Sequence, residues 1–372
     1  MSSPAPAVRP FGPTTPGWEN WRWQMQNRIT TLDQLRQWVR VSEEEAQAIT
    51  DLAGVYRWSI TPYYASLMDA DDPGCPIRLQ AIPSPKEATP APDADIDPVG
   101  DRLFRKTNRV VHKYPDRAVV LVTRNCPVYC RHCTRKFHTT ALNDGSYFER
   151  GEGEPWDEDL AYIREHTEIR DVLLTGGDPL MYSDRRLDTV LGGLRAIDHV
   201  EIIRIGSRFP VLLPQRITPE LCAVLERHHP VWLNTHFNHS KEVTPEAAAA
   251  CDRLLRAGVP VGNQTVLLRG VNDRPELMRR LMLDLVRIRV RPYYLYHCDN
   301  VVGVSHFMTT IEEGRAIHES LQGFITGFAV PQYVLTTELG KIPVPREFVR
   351  KDNGASAWTV ENYRGETGRY QE

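Results

Sequence analysis

Short apolar runs alternate with amphipathic segments through the central part of the chain. The apolar runs are 118–123, 171–175, 200–205, 231–237, 259–267, 292–296 and 332–336. Between them, the segments 184–196, 218–227, 244–257 and 275–286 carry apolar residues at helical spacing. Buried strands that alternate with helices are typical of parallel βαβ units. At least six successive units predict an α/β fold with a barrel or partial (β/α)6-type barrel, and periodicity leaves a doubly wound sheet as the alternative.

The regions on either side of this core have different patterns. Residues 17–69 are predicted to be helical, with Thr31 as a helix cap and Ser42 before an acidic first turn. Prolines between 70 and 100 predict irregular connecting structure, and the polar residues 351–372 predict an edge strand or loops. The predicted regions are therefore a disordered leader (1–16), an N-terminal helical region with a connector (17–100), the barrel core (101–330) and a C-terminal segment with the tail (331–372).

The composition is that of an ordinary globular protein. Hydrophobic residues make up 41% of the 372 residues and charged residues 25%, which excludes disordered, collagen-like and coiled-coil chains. The net charge of −3 gives no general basic field, so we expect no nucleic-acid partner. No apolar run approaches the roughly 18 residues that span a bilayer, and residues 1–16 lack the apolar core of a signal peptide. We therefore expect a cytoplasmic protein without a membrane partner.

Three of the seven cysteines are close together in the sequence. Cys126, Cys130 and Cys133 follow the first predicted barrel strand with the spacing Cys-x3-Cys-x2-Cys, and an odd total does not favour a disulfide framework. Such thiolates can share one soft metal site. A structural zinc ion would need a fourth ligand, most simply His132 or His138. A [4Fe–4S] cluster held by three thiolates would instead leave one iron open to bind a substrate-like molecule.

This spacing after a first barrel strand resembles that of the radical S-adenosylmethionine (SAM) enzymes. The resemblance implies that the three cysteines hold a [4Fe–4S] cluster, whose open iron chelates SAM and whose electron cleaves it to a 5′-deoxyadenosyl radical. Tyr129 would then pack on the adenine. Gly176, Gly177 and Asp178 lie one βα unit further on. By themselves they fit an ordinary strand-to-helix turn, but in this place they resemble the segment that contacts the aminoacyl group of SAM.

Longer strings resemble the lysine 2,3-aminomutase family. They are 18–24, 60–64, 204–218, 230–239, 262–272 and 291–299, and the likeness runs from about residue 17 to about residue 347. That family uses pyridoxal 5′-phosphate (PLP) beside SAM. The resemblance implies that the adenosyl radical takes a hydrogen atom from Cβ of an amino acid. The amino group would then move from Cα to Cβ while it is bound to PLP, and the hydrogen atom would be returned.

The same resemblance gives roles to individual residues. Lys341, in the C-terminal segment, aligns with the lysine that carries PLP. Lys113 and Arg117 take the positions of phosphate ligands, although the family typically has arginine in place of Lys113, and lysine lacks the fork geometry of a guanidinium. The other residues assigned to ligands are Gln264 and Tyr296 for PLP, His236 for SAM, and Arg135 for the substrate carboxylate. Without the resemblance, each of these residues would be read as an ordinary surface or barrel-end side chain.

The chain departs from the family where the substrate side chain would bind. Lysine-specific members have two aspartates for the distal ammonium, of which one matches Asp299, while Thr336 stands in place of the other. The loop before Lys341 is also about two residues shorter, and Glu338 is a candidate to compensate. Because a buried carboxylate prefers a charged partner, Asp299 still indicates a cationic substrate. We therefore expect a basic L-amino acid, with arginine as plausible as lysine.

The resemblance also sets expectations about other ligands and partners. Family members often carry further cysteines for structural zinc near the C-terminus, and this sequence has none there, so we expect no zinc. We expect a homo-oligomer that takes electrons from a donor such as flavodoxin or ferredoxin. A related SAM and PLP enzyme with another substrate or outcome is the main alternative, and a non-catalytic iron–sulfur or zinc protein is a remote one. A binding module would need neither the glycine pair nor Lys341.

Overall fold

The computed structural model describes residues 9–140, 155–344, 349–351 and 357–371. Its main feature is a nine-stranded sheet in which the strands follow one another in sequence order. The strands are β1 (Val110–Tyr114), β2 (Arg117–Thr123), β3 (Asp171–Gly176), β4 (Ile202–Gly206), β5 (Val231–Thr235), β6 (Val261–Leu267), β7 (Arg291–His297), β8 (Gln332–Thr337) and β9 (Gly340–Pro343). Strands β2 to β8 are parallel, while β1 and β9 are antiparallel edges.

The helices surround this sheet and form the N-terminal region. They are α1 (Trp21–Gln26), α2 (Leu32–Arg36), α3 (Glu43–Ala53), α4 (Pro62–Ser66), α5 (Pro76–Ala81), α6 (Lys136–Thr140), α7 (Asp157–Glu165), α8 (Asp184–Arg195), α9 (Phe209–Leu212), α10 (Pro219–Arg227), α11 (Pro245–Arg256), α12 (Pro275–Arg287) and α13 (Ile311–Glu319). Short 3₁₀ turns connect several elements, and a second sheet contains β10 (Val349–Lys351), β11 (Ala357–Glu361) and β12 (Thr367–Gln371).

The register of the strands separates side chains that face the barrel interior from side chains that pack against the helices. Val119, Leu173, Arg204 and Trp232 are successive partners across β2 to β5, and all four line the central cavity. The next row is made of residues that are fully buried between the sheet and the helices, namely Val120, Leu174, Ile205 and Leu233. Because side chains alternate between the faces of a strand, one face points into the barrel and the other packs against the helices.

The predicted barrel is confirmed. Each of the strands β2 to β7 is followed by at least one helix, which gives six βα units, and β8 adds a seventh parallel strand. The antiparallel edges β1 and β9 were not predicted. Helix starts agree with the sequence signals, since Ser183, Thr218 and Thr244 each accept a hydrogen bond from the backbone N–H three residues further on.

The N-terminal region contains the short helices α1 to α5. Thr31 and Ser42 both form reciprocal capping boxes at the starts of α2 and α3. Residues 1–8 of the predicted leader lie outside the described residues, whereas Phe11 packs edge-on against Trp23 at 5.1 Å between ring centroids. Among the helices that the structure describes, none combines the length and the apolar character that crossing a membrane requires.

Candidate active site

A cavity of about 750 Å³ lies inside the barrel. This volume is in the range of small-molecule sites. Inward-facing residues of all nine strands line the cavity, together with residues that follow β2 and β7. Of the residues predicted for ligands, those that line the cavity are Lys113, Arg117, Arg135, His236, Gln264, Tyr296, Asp299, Thr336 and Lys341. The structure thus brings together side chains that are more than 200 positions apart in the sequence.

The cysteine loop, residues 124–135 between β2 and α6, reaches the cavity with Thr134 and Arg135, whereas Cys126, Cys130 and Cys133 do not line it. Its three cysteines are free thiols. The Arg208 guanidinium donates from Nη1 to Cys130 Sγ at 2.9 Å, and Arg28 donates to the Cys126 carbonyl at 3.2 Å. Burial raises the pKa of Cys126 well above its usual value, and the neighbouring carboxyl of Asp178 and the other two cysteines add to this rise.

Three thiolates are the donor set of a [4Fe–4S] cluster with one open iron, whereas a structural zinc ion needs a fourth ligand. Within residues 9–140, 155–344, 349–351 and 357–371, no three His, Cys, Asp or Glu side chains converge closely enough to hold one metal ion. Thiolates on a single zinc ion all lie about 2.3 Å from the same centre. In a [4Fe–4S] cluster each thiolate binds a different iron, so the sulfur atoms are farther apart.

The glycine pair at the end of β3 packs against the cysteine loop. Gly176 has a φ of 112°, which favours glycine. A Cβ on Gly177 would lie 2.8 Å from backbone atoms of Arg124 and Asn125. Asp178 N–H donates to the Asn125 carbonyl at 2.9 Å. The pair is therefore needed for the close approach of two backbone segments, and its contact with SAM stays a prediction.

The Asp178 side chain ties this segment to the end of β4. Its carboxylate accepts hydrogen bonds from Leu180 N at 3.0 Å, Ser207 Oγ at 2.8 Å and Arg208 N at 2.8 Å. Burial raises its pKa from 3.8 to about 6, although these hydrogen bonds oppose the rise. Asp178 thus holds the loops that follow β3 and β4 in fixed positions.

Tyr129, predicted to pack on adenine, is buried beside the N-terminal region. Its ring is 6% exposed and lies 5.5 Å below the Arg57 guanidinium. Its backbone N–H donates to the Ser59 carbonyl at 3.4 Å. The structure therefore places this ring against the N-terminal region, and it does not line the barrel cavity.

Lys341 enters the cavity from β9. Its ammonium Nζ lies 4.6 Å from the centroid of the Tyr294 ring and 5.2 Å from that of Tyr296. Burial, and after it the positive charges of Arg204 and Arg117, lower the pKa of Lys341 from 10.5 to about 7. A large fraction of this amine is therefore neutral near pH 7, which an amine needs in order to attack a carbonyl group.

Asp299 lies beyond the end of β7, near the cysteine loop. Its carboxylate accepts a hydrogen bond from Thr134 Oγ1 at 2.6 Å. Burial raises its pKa from 3.8 to about 6, although Thr134, Arg135 and Lys341 each lower it. Arg135 is fixed in turn by Asp101, with 2.6 Å between Nε and Oδ2. The cavity therefore presents a carboxylate and a guanidinium, and Asp299 is ionised above about pH 6.

Lys113 and Arg117, the two predicted phosphate ligands, make different contacts. Lys113 donates from Nζ to the carbonyls of Val99 at 2.9 Å and Thr337 at 2.6 Å, and burial lowers its pKa. Arg117 lies over the Tyr114 ring at 3.8 Å. Lys113 thus connects β1 to the opposite edge of the sheet, which the sequence did not indicate.

The remaining predicted residues differ in exposure. Gln264 is buried and Tyr296 is half-buried in the cavity wall. Burial lowers the pKa of His236 to about 4, so its imidazole is neutral at pH 7. Thr336 faces the cavity opposite Lys341 in the β8–β9 register. Glu338 is exposed in the β8–β9 turn and does not line the cavity.

Three residues that line the cavity were not predicted from the sequence, namely Asp171, Arg204 and Tyr294. Arg204 lines the cavity and is paired with Asp171 at 2.8 Å. Tyr294 supplies the ring nearest to the Lys341 amine. Charged residues inside the predicted strands 171–175 and 200–205 were the available signal, because a charge within an otherwise apolar strand of a barrel points either to solvent or to the interior.

Comparison with known proteins places the chain among enzymes. A model described as the radical SAM superfamily matches residues 120–282. An L-lysine 2,3-aminomutase of Fusobacterium nucleatum is 48% identical over 335 residues, which cover 89% of this chain and 77% of the relative. One of Clostridium subterminale is 46% identical over 334 residues, with coverage of 89% and 79%. A glutamate 2,3-aminomutase of Clostridioides difficile is 41% identical over 341 residues, with coverage of 91% and 79%.

Proposed function

We propose that this chain, which belongs to the lysine 2,3-aminomutase family of radical SAM enzymes, moves the α-amino group of a basic L-amino acid, arginine or lysine, to Cβ. Members of this family are isomerases. The observation that carries this proposal is one barrel cavity that contains the Lys341 amine, the Asp299 carboxylate and the Arg135 guanidinium. These are groups for a carbonyl cofactor, a cationic side chain and a substrate carboxylate.

The family works with a [4Fe–4S] cluster, SAM and PLP. When bound, the cluster and SAM supply a radical that removes a hydrogen atom from Cβ, and PLP supplies the unsaturated system across which the amino group moves. In this chain, Cys126, Cys130 and Cys133 would hold the cluster and Lys341 would hold PLP. The electron for the cluster would come from a donor such as flavodoxin or ferredoxin.

Lys341 suits a carbonyl cofactor because of its surroundings. Its low pKa leaves it neutral in a large fraction of the molecules at pH 7. The charges responsible include Arg117 and Arg204, which line the same cavity. A cavity with several cations near one amine is suited to an anion such as a phosphate group. The Lys113 ammonium, in contrast, already donates hydrogen bonds to two backbone carbonyls.

Asp299 is proposed to select the substrate side chain. Its carboxylate is half-buried in the cavity wall and accepts a hydrogen bond from the Thr134 hydroxyl. A cationic side chain would supply the charged partner that a buried carboxylate prefers. Thr336, on β8, offers a hydroxyl where the family resemblance leads to a second carboxylate. A broad guanidinium could bridge these two groups, so arginine fits at least as well as lysine.

The activity test is a substrate panel under anaerobic conditions. The reconstituted enzyme is incubated with SAM, PLP, a reductant and L-lysine, L-arginine, L-glutamate or L-alanine, and chiral mass spectrometry detects β-amino isomers. β-Arginine or β-lysine is the expected product. A β-glutamate product alone would contradict the role of Asp299, and deoxyadenosine release without an isomer would contradict the mutase activity.

A substitution tests the role of Asp299 separately. Asp299→Asn should raise KM for the basic substrate by roughly 30-fold or more, because removing one member of a buried charge pair costs about 2–5 kcal/mol. The matched control is Asp198→Asn, at an exposed aspartate. Unchanged KM in Asp299→Asn would refute a cationic side chain at this position.

A further inference from the structure

Arg208 has a buried guanidinium behind the cysteine loop. Besides its hydrogen bond to Cys130 Sγ, Nε donates to the His236 carbonyl at 2.8 Å. Nη2 donates to Gln80 Oε1 at 2.6 Å and to Glu242 Oε1 at 2.7 Å. The side chain is only 7% exposed. The guanidinium therefore lies between one cysteine sulfur and one carboxylate, with little contact with water.

Glu242 is fully buried on the far side of Arg208. Its Oε1 also accepts from Tyr64 OH at 2.7 Å. Its Oε2 accepts from the backbone N–H groups of Asn238 at 2.6 Å and His239 at 3.0 Å. Neutral donors thus hold the carboxylate in place without Arg208, and Gln at position 242 keeps the size of the side chain and removes its charge.

This arrangement differs from a second buried charge group nearby. Glu87 is paired with Arg131 and Lys136, and these two cations donate hydrogen bonds to Glu87 and to backbone carbonyls. Arg208, in contrast, directs one N–H to the sulfur of a proposed cluster ligand. Hydrogen bonds to cluster sulfurs and nearby charges are known physical determinants of cluster reduction potentials.

The effect has a definite sign. Reduction adds one electron, and thus one negative charge, to the cluster and its thiolates. A buried cation that donates to Cys130 stabilises the reduced form more than the oxidised form, because charges interact strongly where water is excluded. The carboxylate of Glu242 lies beyond Arg208 and has the opposite effect. Both effects act on a one-electron step, in which the electron comes from an external low-potential donor.

We propose that Arg208 is a positioning residue that raises the reduction potential of the cluster at Cys130, and that Glu242 is the counter-charge that limits this rise. The proposal rests on the proposed assignment of the cluster to the cysteine loop. It is independent of the amino-acid substrate and of PLP, so it can be tested when neither is present.

The experiment is a redox titration of the reconstituted full chain without substrate and PLP, followed by the EPR signal of the reduced cluster. Arg208→Gln should decrease the ratio of reduced to oxidised cluster at a fixed potential about tenfold, equal to a shift of about 59 mV for one electron. Glu242→Gln should shift the potential in the opposite direction. Arg208→Lys, which keeps the charge but loses the fork, should lie between Arg208→Gln and the unchanged protein.

Lys241→Gln is the matched control, because Lys241 is the exposed neighbour of Glu242. This substitution should leave the reduction potential unchanged. Iron and sulfide content must show that each variant carries a full cluster. Loaded variants with an unchanged potential, or shifts of Arg208→Gln and Glu242→Gln in the same direction, would overturn the proposal. Failure of all three variants to hold a cluster would also overturn it, because Arg208 would then serve cluster binding alone. An unchanged protein that binds no cluster would instead refute the assignment of the cysteines.

Discussion

The cysteine loop and the β8–β9 hairpin each present one part of the proposed site, but they are fixed in different ways. Buried charges hold the loop. Glu87 accepts from both Arg131 and Lys136, and all three side chains are at most 1% exposed. Burial alone would raise the pKa of Glu87, but the two cations lower it to about 2. The loop is therefore attached to the N-terminal region by strong charge-assisted bonds.

The β8–β9 hairpin, which carries Lys341, lies at the edge of the sheet, where β9 has one strand neighbour, β8. Two side chains of β1 bridge the gap to it: Lys113 donates to the Thr337 carbonyl, and Tyr114 OH accepts from Lys341 N–H at 2.9 Å. Gly340 lets the hairpin approach, because a Cβ there would lie 2.8 Å from Tyr114 OH.

The two regions are fixed differently because they serve different proposed roles, one in holding the cluster and one in presenting a reactive amine. The cysteine loop is braced by paired charges, which suits a cluster that must keep its position during electron transfer. The hairpin instead leaves the Lys341 amine in a cavity with several cations, which lowers its pKa. Removing a side chain that forms these contacts should therefore lower the free energy of unfolding more at the loop. At the hairpin it should lower the enzymatic activity more.

The largest expected effect is on chemistry at the hairpin. Lys341→Ala should abolish β-amino acid formation, because it removes the amine that is proposed to hold PLP. Cluster content should be unchanged, since the Lys341 ammonium packs on the Tyr294 and Tyr296 rings and is not one of the proposed cluster ligands. Activity and iron content are measured together, with the exposed Lys106→Ala as the control. Full activity of Lys341→Ala would show that another group holds PLP.

The next effect is on stability at the loop. Glu87→Ala should lower the free energy of unfolding by about 3–5 kcal/mol, because it leaves Arg131 and Lys136 buried without their carboxylate. Scanning calorimetry should show a clear fall in Tm, whereas the exposed Glu226→Ala should change it little. Equal Tm values for the two variants would argue against the loop as the strongly braced region.

A third prediction concerns pH. The neutral form of Lys341 reacts, and its pKa is about 7 where an ordinary lysine has 10.5. The rate at which the apoprotein captures PLP should therefore rise with pH and level off above about pH 8. Absorbance stopped-flow between pH 5.5 and 9.5 measures this rate. Arg204→Gln should move the midpoint upward, since Arg204 lowers the pKa. A midpoint near 10 in the unchanged protein would refute the low pKa.

The smallest effect is expected where the hairpin meets β1. Tyr114→Phe removes the acceptor of the Lys341 N–H but keeps the ring, so it should cost about 1 kcal/mol. We expect a drop of a few degrees at most in Tm and a slower capture of PLP by a few-fold. The exposed Tyr363→Phe serves as the control. A loss of Tm as large as that of Glu87→Ala would remove the contrast between the two regions.

Much of the fold could be predicted because its strands and helices have local signals. Seven apolar runs correspond to β2 to β8, and caps such as Thr218 and Thr244 mark helix starts. The short edges β1 and β9 had no such signal, since each pairs with a single neighbour and is partly exposed. The site was predicted by resemblance as a set of residues, but Glu338 shows the limit, since the turn places it outside the cavity.

The order of the βα units, the three clustered cysteines and the presence of Lys341 follow from residue type and local spacing, so they can be read from the sequence. The partners of the buried charged side chains are set by the folded barrel. Lys113 reaches the Thr337 carbonyl and Arg208 reaches Cys130 across long stretches of sequence. The pKa of Lys341 likewise depends on its burial and on cations from other strands. Burial and electrostatic interaction act through space, so they are set only when the barrel closes around its interior.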